Sequence, residues 1–132
     1  GAHGGLPHQS IDPVVMSAHV VLGLQSIASR IVDPVDSVVV SVTQIDGGAT
    51  WNVIPDHVRL RGTVRALQPE ARDAVEPLMR RIAQNTCAAS GGSLTMRYER
   101  RYPPVVNHAP ETEIAAAAAR NVAGAAGVDP TH

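Results

Sequence analysis

The sequence contains no lysine and no phenylalanine, and it has one cysteine, one tryptophan and two tyrosines. The formal net charge of −1 gives no electrostatic reason to expect nucleic acid or an anionic membrane as a partner. With so few aromatic rings, a platform for stacking the bases of single-stranded nucleic acid is not expected. A lone cysteine, Cys87, cannot form an internal disulfide bond, which is typical of a cytoplasmic protein.

Long apolar runs and signatures of catalysis are also missing. The first residues do not resemble a signal peptide, and no unbroken apolar run of about 18 residues occurs, so the sequence predicts neither export nor a membrane span. A phosphate-binding P-loop, a nucleophile elbow and paired cysteines are absent as well. The 132 residues, 44% of them apolar, therefore predict one soluble domain with a single core.

Three helices are predicted from capping residues and apolar spacing. Asp12 as N-cap and Pro13 at the first helical position begin a helix that ends before Asp33-Pro34. A second helix is predicted over residues 67–89, where Ser90-Gly91-Gly92 follows, and an alanine-rich third helix over residues 111–126.

Three strands are predicted from alternation, over residues 37–45, 57–65 and 93–102. Their inward-facing positions are expected to pack on the helices: Val38, Val40, Val42, Val58, Leu60, Val64, Leu94, Met96. The order helix, strand, strand, helix, strand indicates an α+β fold, a ferredoxin-like split β-α-β sandwich whose antiparallel sheet carries two helices on one face. Residues 1–10 contain three glycines and predict a loop, so the first strand of that arrangement is expected to be missing from this chain.

Three polar side chains suit an anionic or carbonyl substrate. The imidazole of His3 and the carboxamide of Asn52 can donate to an oxyanion, and the guanidinium of Arg65 can bind a carboxylate through two hydrogen bonds. Each also has an ordinary structural interpretation: an exposed loop histidine, an asparagine in a turn, and an arginine on the solvated face of a strand. The residue types alone leave both interpretations open.

The ordered motifs nevertheless resemble one family. They begin with Gly1-Ala2-His3-Gly4-Gly5-Leu6-Pro7-His8 and Ile11-Asp12-Pro13, and continue with Ser29-Arg30, Asp46-Gly47-Gly48-Ala49 with Asn52-Val53-Ile54-Pro55, Arg61-Gly62-Thr63-Val64-Arg65 and Tyr102-Pro103-Pro104. This series is similar to the lid, or dimerisation, domain of the zinc-type amidohydrolases, which include hippurate hydrolase, N-acyl-amino-acid deacylases and auxin-conjugate hydrolases.

The resemblance implies roles for individual residues. His3 corresponds to the imidazole that stabilises the oxyanion of the scissile carbonyl, and Asn52 and Arg65 correspond to groups that bind the substrate carboxylate, often across a dimer. His8 matches a Pro-His dipeptide that is common in this branch, and the resemblance assigns it no role. The metal ligands of the family are absent from this chain, so a divalent metal (Zn, Mn, Co or Ni) is expected only in a catalytic domain outside it.

The resemblance also implies a domain organisation and partners. Residues 1–109 correspond to the lid, and residues 110–132 to a helical return segment toward the catalytic domain. The chain alone is expected to be inactive toward a small N-acyl amino acid. A homodimer is expected through the edge strand 37–45 and the first helix, because a long apolar edge strand invites pairing.

Two alternatives remain open at this stage. One is a freestanding ferredoxin-like module for dimerisation or ligand sensing that never had a catalytic partner. The other is the lid of a related carbamoyl-amino-acid hydrolase or deacetylase.

Overall fold

The computed structural model describes residues 1–129. The helices are α1 (Pro13–Ser26), which continues as one wider turn over Ile27–Ile31, α2 (Pro69–Ala89) and α3 (Ala109–Ala123). The strands are β1 (Ala2–His3), β2 (Val38–Gly47), β3 (Val53–Ile54) and β4 (Val58–Ala66), with short 3₁₀ turns at Pro7–Gln9 and Ala125–Gly127. The predicted helices and the two middle strands are confirmed, with their ends shifted by one to three residues.

Helix α1 begins where the sequence predicts. The carboxylate of Asp12 accepts hydrogen bonds from the backbone N–H groups of Val14 (2.8 Å) and Val15 (3.3 Å), two of the N–H groups that have no partner inside the helix. The buried stripe of this helix is the predicted one: Met16, Val20, Leu24 and Ile27. The cap and the stripe together fix which face of α1 lies on the sheet.

Replacing Asp12 with alanine is expected to lower the free energy of unfolding by about 1 kcal/mol, because the two N–H groups lose their acceptor. Urea unfolding followed by circular dichroism measures the change. Asp12→Asn is the matched control: an amide oxygen caps a helix about as well as a carboxylate, so this variant should remain near wild type. Equal losses in both variants would mean that charge, not capping, is the source of the effect.

Helix α1 is apolar on both sides. Residues Pro13–Ile31 form a single 19-residue helical stretch with a mean hydropathy of 1.4, which by length and composition alone is sufficient to cross a membrane. Polar residues such as Ser17 and His19 interrupt this stretch, so it does not contain an unbroken apolar run. One side of the stretch packs into the core like a core helix, while Val15 and Leu22 on the other side are 54% and 70% exposed.

The sheet is a β2–β4 hairpin, paired antiparallel from Val38↔Ala66 to Gly47↔Val58, with an irregularity between Val42 and Gln44. The core lies between this hairpin and the helices. Its buried members are Met16, Val20, Leu24, Ile27, Val40, Val75, Ala83 and Cys87. Most of the predicted inward positions border this core: Val38, Val42, Leu60, Val64 and Leu94. Val58 and Met96 are half-buried but are not among these neighbours.

The prediction of a third strand over residues 93–102 is wrong. Its residues are not in a β-ladder, although the exposure of its side chains alternates as predicted. In the ferredoxin-like order this segment pairs only with the first strand, and no first strand is present among residues 1–129 to bond it. The loop predicted for residues 1–10 is wrong in one detail, because Ala2–His3 form a two-residue strand with Val53–Ile54.

Helix α3 has no buried residue, and it packs mainly on the short turn that follows it. Its surface is therefore largely exposed around its whole circumference. The division into a lid (1–109) and a return segment (110–132) stays a prediction, and residues 130–132 of that segment lie outside the described residues.

Candidate functional site

A small β-ladder brings His3 and Asn52 together. Ala2 pairs with Ile54 and His3 pairs with Val53, and the N–H of Gly4 then donates to the carbonyl oxygen of Asn52 at 2.8 Å. A Cβ atom at position 4 would lie 3.0 Å from that same oxygen, tighter than most such contacts, so the close approach of the two backbones favours glycine. Two segments separated by about fifty residues in sequence thus form one structural unit.

The imidazole of His3 is held in a defined tautomer. The N–H of Gly5 donates to Nδ1 of His3 at 2.9 Å, so a neutral ring must carry its proton on Nε2. A Cβ atom at position 5 would lie 3.2 Å from this nitrogen, which is tighter than a usual contact. His3 is exposed, and its Nε2–H can therefore donate to a group that approaches from outside.

The side chain of Asn52 is oriented by its neighbour. The hydroxyl of Thr50 donates to Oδ1 of Asn52 at 3.0 Å, which leaves the amide NH₂ to donate elsewhere. Thr50 is not among the residues predicted from the sequence to form the site. A hydroxyl two residues before the asparagine of a turn is the signal that could have found it.

Arg65 does not lie near the other two residues. It pairs with Val39 near the opposite end of the hairpin, seven residues along β4 from Val58. At about 3.3 Å per strand residue, Arg65 is about 23 Å from the start of β4, and Asn52 lies beyond that start. Its Nη1 donates to the carbonyl oxygen of Val64 at 2.8 Å and to the hydroxyl of Thr63, so the guanidinium is fixed along its own strand.

All three side chains are exposed, and they do not share one enclosed cavity. A small substrate is normally bound in a concave site that covers most of its surface. Among residues 1–129, no group of three His, Cys, Asp or Glu side chains could hold a metal ion. The described residues therefore offer exposed hydrogen-bond donors, but they form neither an enclosing cavity around all three side chains nor a cluster of metal ligands.

Cys87 is a core residue. The thiol is buried in the core, and this burial raises its pKa above the ordinary value, which disfavours the reactive thiolate.

The chain is similar in sequence to several known proteins. Residues 1–90 match the model of the peptidase dimerisation domain of family M20. The chain is 43% identical over 108 residues to an N-acyl-L-amino acid amidohydrolase of Geobacillus stearothermophilus, covering 82% of this chain and 29% of the relative. It is 41% identical over 107 residues to an N-acetylcysteine deacetylase of Bacillus subtilis, covering 81% of this chain and 28% of the relative.

A solved structure has the same fold. It is a Bacillus subtilis protein described as a dinuclear metal-binding peptidase of the M20 family, and it superposes with a TM-score of 0.65 at 35% identity. The alignment covers 87% of this chain and 29% of that one. The chain spans less than a third of the length of these relatives and corresponds to their dimerisation part only. With the family model covering residues 1–90, the chain belongs to the peptidase dimerisation domain family of the M20 peptidases.

Proposed function

We propose that this chain joins two subunits of a metal-dependent amidohydrolase and supplies groups that bind N-acyl amino acids. The observation that carries the proposal is the arrangement of His3 and Asn52. Their backbones are bonded through Gly4, and each side chain has its acceptor atom occupied, so that both present N–H donors outward. Such donors suit an amide carbonyl that gains negative charge and a carboxylate.

The roles proposed for the three residues differ. His3 donates from Nε2 to the carbonyl oxygen as it becomes an oxyanion, and Asn52 and Arg65 bind the substrate carboxylate. Because Arg65 lies far from the other two in one protomer, one substrate cannot contact all three side chains of the same copy. We therefore assign His3 and Asn52 to one active site of a dimer and Arg65 to the other.

The catalytic step belongs outside this chain. A divalent metal that activates water would be held by residues of a catalytic domain, since residues 1–129 lack a ligand cluster. The names of the relatives, an amidohydrolase and a deacetylase, support this reaction class. Cytoplasmic localisation is proposed on the composition alone.

The proposal is tested by assaying the 132-residue chain and the full-length protein in parallel, with N-acetyl amino acids and added Zn²⁺, Mn²⁺, Co²⁺ or Ni²⁺. The full-length protein is expected to hydrolyse the amide, and the chain alone is expected to show no turnover above a buffer control. Metal-dependent turnover by the isolated chain, retained through two further purification steps, would contradict the proposal.

The dimer is proposed to form through the free edge of β2 and the outer face of α1. Among the described residues β2 has β4 as its only strand partner, so its other edge can pair with a second copy. Several large apolar side chains are exposed on α1, on β2 and between the two elements: Val15, Leu22, Val35, Val39 and Ile45. An open strand edge together with exposed apolar side chains is typical of a two-fold interface.

Replacing Leu22 with glutamate is expected to weaken the dimer about 10- to 100-fold, because two-fold symmetry places two unpaired carboxylates in the interface. Sedimentation equilibrium of the 132-residue chain measures the dissociation constant. Val122→Glu, at a 91% exposed position of α3, is the matched control and should leave the constant unchanged. A dimer insensitive to Leu22→Glu would place the interface elsewhere.

A further inference from the structure

Trp51 is the most exposed of the large apolar side chains, at 95%, and it is the only tryptophan in the sequence. It lies in the turn between β2 and β3, directly before Asn52. An indole ring left in solvent contributes almost nothing to the stability of the domain, because it buries almost no apolar surface. Single exposed apolar residues are common on protein surfaces, so it is the position of Trp51 that sets it apart.

Trp51 forms one wall of a cleft of about 270 Å³. Most of the other side chains that line the cleft are apolar too: Val14, Val53, Ile54 and Pro55. A pocket that holds a whole small molecule usually measures about 300–1,000 Å³ and is lined in the same way by apolar and aromatic side chains. This cleft therefore suits one apolar part of a ligand.

The cleft is built from the same backbone unit as the candidate site. Gly4 lies in its lining and donates to the carbonyl oxygen of Asn52 at 2.8 Å. Val53, another lining residue, is the ladder partner of His3. Since Trp51 precedes Asn52 in the chain, the cleft lies beside both His3 and Asn52.

The polar groups of the cleft disfavour an acidic occupant. The carboxylate of Asp12 lies in the lining, where it caps α1, and the hydroxyl of Thr50 is used in its bond to Asn52. None of the described residues that line the cleft is an arginine or a histidine. An acidic group in the cleft would therefore meet the charge of Asp12 without a cation to offset it.

An N-acyl amino acid presents an apolar group at a matching position. Its side chain branches from the carbon atom that joins the amide nitrogen to the carboxylate. The side chain therefore lies between the carbonyl group that His3 is proposed to bind and the carboxylate that Asn52 is proposed to bind. A substrate held at these two donors has its side chain within reach of the adjoining cleft.

We propose that Trp51 and its cleft form the subsite for the amino-acid side chain of the substrate, and that they select aromatic side chains over glycine. The assignment rests on the proposed function and deepens it. The face of the indole ring packs on the substrate side chain, and Val14 is a second wall. Packing remote from the reacting carbonyl stabilises the bound substrate and the transition state alike, so Trp51 acts mainly on KM.

The test measures kcat/KM of the full-length protein for N-acetyl-L-phenylalanine and for N-acetylglycine, which differ only in that side chain. Trp51→Ala is expected to lower the ratio of the two constants about tenfold, through a higher KM for the phenylalanine substrate. The constant for N-acetylglycine should stay within about twofold of wild type, because glycine has no side chain to place in the cleft. Trp51→Phe retains an aromatic wall and should restore most of the ratio.

Val14→Phe tests the cleft from a second wall. The larger side chain occupies the space that the substrate side chain needs, so the same ratio should again fall while N-acetylglycine is hydrolysed as before. Tyr102→Ala is the matched control, because its ring is 85% exposed and does not line the cleft. This variant should keep the wild-type ratio.

Two results would overturn the assignment and leave the proposed function standing. One is an equal loss of kcat/KM for both substrates in Trp51→Ala, which would mean that Trp51 packs on another part of the protein. The other is an unchanged ratio in both Trp51→Ala and Val14→Phe. A wild-type full-length protein that hydrolyses no N-acetyl amino acid would instead overturn the proposed function, and this assignment with it.

Discussion

Under the proposed function, replacing His3 with alanine in the full-length protein is expected to lower kcat by about 10²–10³-fold, the usual cost of losing one donor to an oxyanion. The structure explains why the ring can serve as that donor. The N–H of Gly5 occupies Nδ1, so the neutral imidazole carries its proton on the exposed Nε2. A donor that bonds more strongly as charge develops acts on the transition state, so KM should change much less than kcat. Steady-state kinetics with an N-acetyl amino acid measures both constants.

His8 provides the matched control for this experiment. It lies five residues away in the short turn Pro7–Gln9 and is also exposed, but it is not in the ladder that joins His3 to the Asn52 loop. His8→Ala should therefore keep kcat near wild type. A His3→Ala enzyme with kcat and kcat/KM near wild type would remove His3 from the catalytic mechanism.

The elements of this fold that depend on local sequence could be predicted. The Asp12-Pro13 start of α1, the stop before Pro34 and the apolar stripe are encoded within a few residues of where they act. The strand prediction for 93–102 was right about its two faces and wrong about its pairing. Alternation determines which side chains face the core, but a ladder also needs a neighbouring strand, which is a non-local property.

For the candidate site too, local sequence identified the residues but did not predict their arrangement in space. Motif resemblance pointed to His3, Asn52 and Arg65, but their sequence spacing did not reveal their spatial arrangement. His3 and Asn52, far apart in sequence, are joined by the hydrogen bond from Gly4 to Asn52. Asn52 and Arg65, only thirteen residues apart, are separated because most of those residues lie along an extended strand.

This separation predicts how mixed dimers behave. A dimer that combines one His3→Ala subunit with one Arg65→Ala subunit has one active site with both residues intact if each site draws on both subunits. The other site then lacks both residues. Such a dimer should keep about half of the wild-type kcat/KM, and a statistical mixture of subunits about a quarter. Either homodimer alone should be far less active, with His3→Ala lowering kcat and Arg65→Ala raising KM.

A second mixture is the control that makes the result specific. His3 and Asn52 lie side by side in one protomer, so under the proposed function they serve the same site. Mixing His3→Ala with Asn52→Ala subunits leaves a defect in both sites and should restore nothing. Co-expression with two affinity tags isolates the mixed dimers, and kcat/KM is measured at low substrate concentration. In the first mixture, kcat/KM is expected to be at least about tenfold higher than in either mutant homodimer. In the second mixture no increase is expected, because only the first pair of residues is divided between the two active sites. Failure of both mixtures to recover would instead mean that His3, Asn52 and Arg65 of the same subunit act in one site, which would require the hairpin to bend strongly on binding substrate.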